Sequence, residues 1–133
     1  MEIDKDLKIL VVDDFRSMRS LIKNILRKLG YLKVYEAEDG DKAWKMLQEE
    51  EIELVISDWN MPRMKGIDLL RKVRESEEFA NLPFVMVTAE GMKENVVEAI
   101  KAGVSGYIVK PFSPQSLQDK IQKVFAKKPQ PAR

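Results

Sequence analysis

The chain contains neither cysteine nor histidine among its 133 residues. The lack of cysteine excludes disulfides, thiol nucleophiles and thiolate metal sites. The lack of histidine excludes Ser-His-Asp catalysis, imidazole proton shuttles and a phosphohistidine within this chain. Any chemistry here must therefore use carboxylates, hydroxyls, lysines and a cation that prefers oxygen ligands.

The chain also lacks an excess of charge of one sign. It has 23 lysines and arginines and 22 aspartates and glutamates, which gives a net charge of +1. This balance gives no electrostatic reason to expect nucleic acid or an anionic membrane as a partner. No apolar run approaches the roughly 20 residues of a membrane span, and the first eight residues, MEIDKDLK, are too charged for a signal peptide. We therefore expect a cytoplasmic protein.

Short apolar segments alternate with helical patterns along the chain. The predicted strands are 7–12, 33–37, 52–57, 83–87 and 107–109. Apolar residues at helical spacing follow each strand, and in the fourth helix they are Val96, Val97 and Ile100. Such alternation predicts an α/β protein, a (βα)5 doubly wound five-stranded parallel sheet with helices on both faces. We expect one domain over residues 7–127, with short tails at 1–6 and 128–133.

Polar residues follow four of the predicted strands directly: Asp13 and Asp14, then Asp58, Thr88 and Lys110. Each has an ordinary interpretation when taken alone, since Asp14 could cap a helix and Lys110 could be a solvated surface charge. Open parallel sheets, however, bind ligands just beyond the carboxyl ends of their strands. The joint pattern therefore indicates a site at that edge of the sheet.

Three carboxylates at one edge would need a cation, because two such charges repel by about 4 kcal/mol at roughly 4 Å with an effective dielectric constant near 20. With no histidine or cysteine in the chain, the fitting ion is Mg²⁺, which prefers oxygen ligands. A magnesium ion beside a lysine and a hydroxyl is typical of phosphoryl transfer. A carboxylate can itself be the nucleophile and form an aspartyl phosphate.

In this order, Asp13-Asp14, Asp58, Thr88-Ala89 and Lys110-Pro111 resemble the motifs of receiver domains from two-component response regulators. The resemblance covers about residues 7–127. The segments VVDDF, EAEDG, SDWNMP, MVTAE and VKPF are similar to those of the family's single-domain chemotaxis branch. The resemblance implies a flavodoxin-like sheet with strand order 2-1-3-4-5.

The same resemblance implies roles for the residues at the strand ends. Asp58 would be the phosphoacceptor, and Lys110 and Thr88 would contact the phosphoryl oxygens. The ligands of Mg²⁺ would be Asp13, Asp14, Asp58 and the backbone carbonyl of Asn60.

The resemblance also implies residues that would switch the conformation and residues that would set the rate of dephosphorylation. Thr88 and Tyr107 would form the switch, with the hydroxyl drawn toward the phosphate and the ring turning inward behind it. Asn60 and Glu90 would flank the attacking water and set how fast the aspartyl phosphate hydrolyses. The Lys110–Pro111 peptide would be cis, which the following proline makes feasible.

An output face would lie on the fourth helix, fifth strand and fifth helix, with Lys93, Glu94, Tyr107, Lys120 and Lys123 near it. Two further residues lie close to Asp58 in the sequence. Trp59 could shield the acceptor, meet a kinase or simply pack on the loop. Lys65 departs from the family pattern, because that loop position is often acidic or asparagine in relatives, and a lysine there would add positive charge beside the site.

We therefore expect a monomeric phosphorylation switch rather than an enzyme, although it would assist its own phosphotransfer and autodephosphorylation. Its partners would be a sensor histidine kinase of the chemotaxis type, a flagellar motor switch protein and a possible phosphatase, but neither nucleic acid nor a membrane.

One alternative is a phosphorelay intermediate or the isolated receiver of a larger DNA-binding regulator. A different class, the Mg²⁺-dependent aspartyl-nucleophile phosphatases, is disfavoured because Trp59 and Asn60 stand where those proteins carry a general acid. A flavodoxin-like cofactor binder lacks support too, since two acids follow the first strand.

Overall fold

A computed structural model of the chain describes residues 4–89 and 93–127. Within these residues five strands alternate with five helices, as predicted from the hydrophobic pattern. The elements are β1 (Ile9–Val12), α1 (Arg16–Lys28), β2 (Val34–Ala37), α2 (Gly40–Glu49), β3 (Leu54–Ser57), α3 (Gly66–Glu75), β4 (Phe84–Thr88), α4 (Lys93–Lys101), β5 (Gly106–Val109) and α5 (Pro114–Lys127).

All five strands are parallel and lie in the order β2-β1-β3-β4-β5, which confirms the strand order implied by the resemblance. At the carboxyl end of the sheet, Val12 of β1 is in register with both Ala37 of β2 and Ser57 of β3. The residues that follow these strands therefore emerge side by side.

The sheet separates two apolar layers, because successive strand side chains point to opposite faces. One layer joins Ile9, Val11 and other strand residues to the apolar faces of α1 and α5. The other joins Leu10 and Val12 to α2, α3 and α4. Both faces of the central strands are thus covered, which explains why β1, β3 and β4 are buried throughout.

Two helix ends carry residues that commonly cap helices. Gly30 ends α1 with a positive φ of 103° and donates its N–H to the Arg27 carbonyl at 2.9 Å. Ser113 precedes α5, and its Oγ accepts the Ser116 N–H at 3.0 Å. Within residues 4–89 and 93–127, no helix combines the length and apolar character that a membrane crossing requires.

The fourth helix forms where its apolar pattern predicts it, but two of the larger residues in that pattern face solvent. Val97 and Ile100, two residues of the predicted apolar pattern, are 39% and 64% exposed, whereas Ala99 is fully buried. The alanine side chain is small enough for the helix to pack closely through it, so the larger residues turn toward solvent. The first and third strands also begin two residues later than predicted, at Ile9 and Leu54.

Candidate functional site

The carboxyl ends of β1 and β3 bring three aspartates together. Asp13 follows Val12 and Asp58 follows Ser57, and these two strand residues are in register. Asp13, Asp14 and Asp58 each offer one carboxylate oxygen, and the three atoms lie within 4.8 Å of one another. Asp13 and Asp58 are buried, so their mutual repulsion is poorly screened by solvent.

Lys110 reaches this group from the end of β5. Its Nζ donates to Asp13 Oδ2 at 3.1 Å and lies 3.5 Å from Asp58 Oδ1. The ammonium group therefore bridges two acids that are 97 and 52 residues away in sequence. The alternative interpretation of Lys110 as a solvated surface charge is wrong, and the Lys110–Pro111 peptide is cis, as predicted.

The protonation of Asp58 reflects both burial and charge. Burial raises the pKa of this carboxyl group, Lys110 opposes that change, and the neighbouring Asp13 raises the pKa further. The Trp59 N–H, which donates to Asp58 Oδ1 at 2.8 Å, also favours the ionised form. The net direction is upward, so Lys110 and the Trp59 N–H only partly offset the combined effect of burial and Asp13 on this pKa.

Asp14 supplies a separate indication that the site suits a cation. Its Oδ1 is buried and has no hydrogen-bond partner among the described residues. It does not cap α1, because the N-cap residue is Phe15, whose N–H donates to Asp13 Oδ1 at 2.9 Å. An unpaired buried carboxylate oxygen beside two further carboxylates is a donor set that fits Mg²⁺.

Thr88 and Tyr107 lie on β4 and β5, the two strands that follow β3 across the sheet. Thr88 is buried at the end of β4, and its carbonyl accepts the Lys110 N–H at 2.8 Å. Tyr107 lies on the edge strand β5, in register with Met86, and packs partly buried against the layer formed with α2, α3 and α4. Glu90, the predicted tuning residue, lies outside the described residues.

The end of the loop that follows Asp58 packs directly against the backbone of Asp58 and Trp59. The Gly66 N–H donates to the Trp59 carbonyl at 2.8 Å, and a Cβ atom on Gly66 would lie only 2.0 Å from the Asp58 carbonyl oxygen. Only glycine fits there. The Trp59 side chain is buried in the apolar layer formed with α2, α3 and α4, whereas Asn60 and Lys65 are exposed.

The predicted output residues occupy α4, β5 and α5. Glu94 and Lys123 are exposed, and Lys120 lies half-buried over Gly106 of β5, while the side chain of Lys93 is outside the described part. The sequence interpretation missed two apolar side chains on these elements, Ile100 and Val109, which are 64% and 42% exposed. Both stand in regular apolar patterns, so the sequence carries no signal that they face solvent.

Residues 9–122 match the family model of the response regulator receiver domain. The chain therefore belongs to the response regulator receiver domain family.

Among its relatives, chemotaxis protein CheY-3 of Vibrio cholerae serotype O1 is 50% identical over 123 residues, which cover 92% of this chain and 95% of the relative. Two solved structures give the same picture of the fold. Vibrio cholerae CheY4 superposes with a TM-score of 0.83 at 36% identity, covering 89% of this chain and 98% of that one. The receiver domain of the sensor histidine kinase PA1611 from Pseudomonas aeruginosa, with a magnesium ion coordinated in its active-site cleft, has a TM-score of 0.82 at 26% identity, covering 91% and 98%. The chain is thus a receiver domain homologous to the CheY chemotaxis response regulators.

Proposed function

We propose that this chain is a stand-alone chemotaxis switch that is phosphorylated on Asp58 in a Mg²⁺-dependent reaction. The observation that carries the proposal is the buried Asp58 carboxylate, which lies 3.5 Å from the Lys110 ammonium and beside two further acids. An anionic nucleophile held next to a fixed cation, at the edge where parallel sheets bind ligands, is suited to receive a phosphoryl group.

In the proposed reaction, an Asp58 carboxylate oxygen attacks the phosphorus of the donor. A P–O bond to Asp58 forms while the bond from phosphorus to the donor breaks, and its electron pair leaves with the donor's imidazole or carboxylate. Lys110 and the Thr88 hydroxyl would bind the phosphoryl oxygens. Bound Mg²⁺ would neutralise charge on the transferring group, with Asp13, Asp14, Asp58 and the Asn60 carbonyl as its ligands.

The proposed partners follow from the same chemistry. Because the chain has no histidine, the phosphoryl donor must be another molecule, for which we propose a sensor histidine kinase. The relationship to the chemotaxis protein CheY-3 supports a flagellar motor switch protein as the downstream partner that the phosphorylated chain binds. Thr88 and Tyr107 would transmit the signal, because a phosphate that draws the hydroxyl would let the ring move inward behind it. The exposed residues Glu94 and Lys123 would belong to the binding face.

A relay intermediate remains the second candidate, because a receiver can pass its phosphoryl group onward without contacting a motor. The two roles differ in output. The test measures binding of a fluorescent N-terminal motor-switch peptide to the full chain, with and without beryllofluoride and Mg²⁺. A motor regulator should bind the peptide about 10-fold more tightly with the phosphoryl mimic. Asp58→Asn provides the control and should show no change. Equal affinity in both states of the unmodified sequence would favour the relay.

A further inference from the structure

Arg63 has a backbone conformation that arginine rarely adopts. Its φ is 66°, and among the residues that the structure describes it is the one non-glycine residue with a positive φ. The left-handed region is unfavourable for a residue with a Cβ atom, and it persists where the surroundings impose it. Arg63 lies in the acceptor loop, residues 59–65, which connects the end of β3 to the start of α3.

An ion pair holds this arginine. Arg63 Nη1 lies 2.9 Å from Asp39 Oδ2, and the Asp39 side chain is only 2% exposed. The other carboxylate oxygen, Oδ1, accepts the Lys42 N–H at 2.9 Å and so caps α2. One buried carboxylate therefore links the acceptor loop to the start of α2.

The neighbouring residues make a second contact between the same two segments. A Cβ atom on Gly40 would lie 2.6 Å from Met64 Cβ and 2.7 Å from the Met64 carbonyl oxygen. The absence of a side chain at Gly40 thus lets the acceptor loop lie directly against the start of α2. A separate hydrogen bond, from the Gly66 N–H to the Trp59 carbonyl, joins the two ends of the loop.

We propose that the Arg63–Asp39 ion pair positions the acceptor loop for cation binding. Asn60, whose backbone carbonyl is a proposed Mg²⁺ ligand, lies between the two points at which the loop is held. Breaking the pair would leave the buried Asp39 carboxylate without its cation and would free the middle of the loop. The inference rests on the metal site of the proposed function. Arg63 is a positioning residue, because its ion pair is with Asp39 and not with the acceptor.

Two substitutions separate the ion pair from other effects. Arg63→Asn removes the guanidinium but places a residue that tolerates positive φ at this position. Asp39→Asn removes the charge but keeps an oxygen that can cap α2. Arg63→Lys keeps a cation. Arg71→Gln is the matched control, because it removes an arginine whose partners are Asp68 on α3 and Glu98 on α4.

The experiment measures the Mg²⁺ dissociation constant of the full chain by calorimetry, together with hydrogen exchange of the loop amides in metal-free protein. We expect Mg²⁺ to bind about 3- to 10-fold more weakly to Arg63→Asn and to Asp39→Asn, less than the roughly 10- to 100-fold loss typical when a direct partner of a metal ligand is removed. The double variant should be no weaker than either single variant, because both remove one interaction. Loop amides should exchange faster, whereas Arg63→Lys and Arg71→Gln should bind like the unmodified sequence.

The outcomes distinguish this inference from the function on which it rests. If the unmodified chain bound no Mg²⁺, the proposed function itself would fail. If the unmodified chain bound Mg²⁺ and Arg63→Asn bound it equally well, the positioning role would be overturned, even with a lowered melting temperature. Weaker binding by Asp39→Asn alone would assign the effect to the charge of Asp39 acting independently of Arg63, and would also overturn the positioning role.

Discussion

At the scale of single residues, the ionised form of Asp58 opposes folding. The carboxyl group is buried, its pKa is raised by burial and by Asp13, and Lys110 compensates only in part. A group whose pKa is raised in the folded state binds more protons there than in the unfolded chain. The free energy of unfolding therefore falls as pH rises from the ordinary aspartate value, about 3.9, through the raised value. This cost is present in full only at pH values above the raised pKa of Asp58.

Asp58→Asn should therefore stabilise the metal-free protein. We expect a gain of roughly 1 kcal/mol at neutral pH, seen as a melting temperature a few degrees higher. The gain should shrink as pH falls toward 4, because the unmodified Asp58 then becomes protonated and loses its charge. Thermal unfolding between about pH 4 and pH 8 measures this difference.

Asp68→Asn serves as the control, since that aspartate lies on α3 with a side chain 52% exposed, and its substitution should change stability little at any pH. A lower melting temperature for Asp58→Asn at neutral pH would refute the view that the ionised Asp58 carboxylate destabilises the metal-free fold.

At the scale of secondary-structure elements, Arg74 joins the end of α3 to the segments that enter β4 and β5. Its Nε donates to the Gly103 carbonyl at 2.8 Å, and its Nη1 donates to the Leu82 carbonyl at 2.6 Å. Its Nη2 lies 3.1 Å from Ser105 Oγ, which in turn accepts the Phe84 N–H. Burial lowers the pKa of Arg74, and the acceptors of these hydrogen bonds are neutral oxygens.

Arg74→Met should consequently destabilise the fold while leaving the strand-end acids intact. We expect a loss of about 2–3 kcal/mol, because several carbonyl groups lose a charged donor. Urea unfolding measures the loss, and Mg²⁺ binding by the folded variant should remain unchanged.

Arg71→Met is the comparison, because Arg71 pairs with Glu98 at 2.5 Å through a side chain that is 45% exposed, and such surface pairs contribute at most about 1 kcal/mol. If the two substitutions lowered the free energy of unfolding equally, the hydrogen bonds of Arg74 would stabilise the fold no more than a surface ion pair does.

The elements themselves were largely predictable, and the exceptions have a physical cause. Apolar strands and helical spacing are local patterns, so the five strands and five helices could be located from them within a few residues. The side of a helix that packs inward depends on what lies opposite. In α4 that contact is made by Ala99, a small residue that the pattern of larger side chains does not favour.

At the scale of the whole molecule, the site exists only because the fold brings distant segments to one edge. Asp13, Asp58 and Lys110 follow three different strands, and the sequence predicts their approach because parallel strands end at the same edge. The Arg63–Asp39 ion pair was not predictable in the same way. Nothing in the residue type of Arg63 indicates a positive φ, and the pairing depends on how the acceptor loop meets α2.

The proposed function depends above all on Asp58 being the residue that receives the phosphoryl group. The most direct test incubates the full chain with acetyl phosphate and Mg²⁺ and determines its intact mass, followed by peptide mapping. We expect one added phosphoryl group, located on Asp58. Neither the unmodified chain without Mg²⁺ nor Asp58→Asn should gain it. A phosphoryl group on any other residue, or on the Asp58→Asn protein, would contradict the proposal.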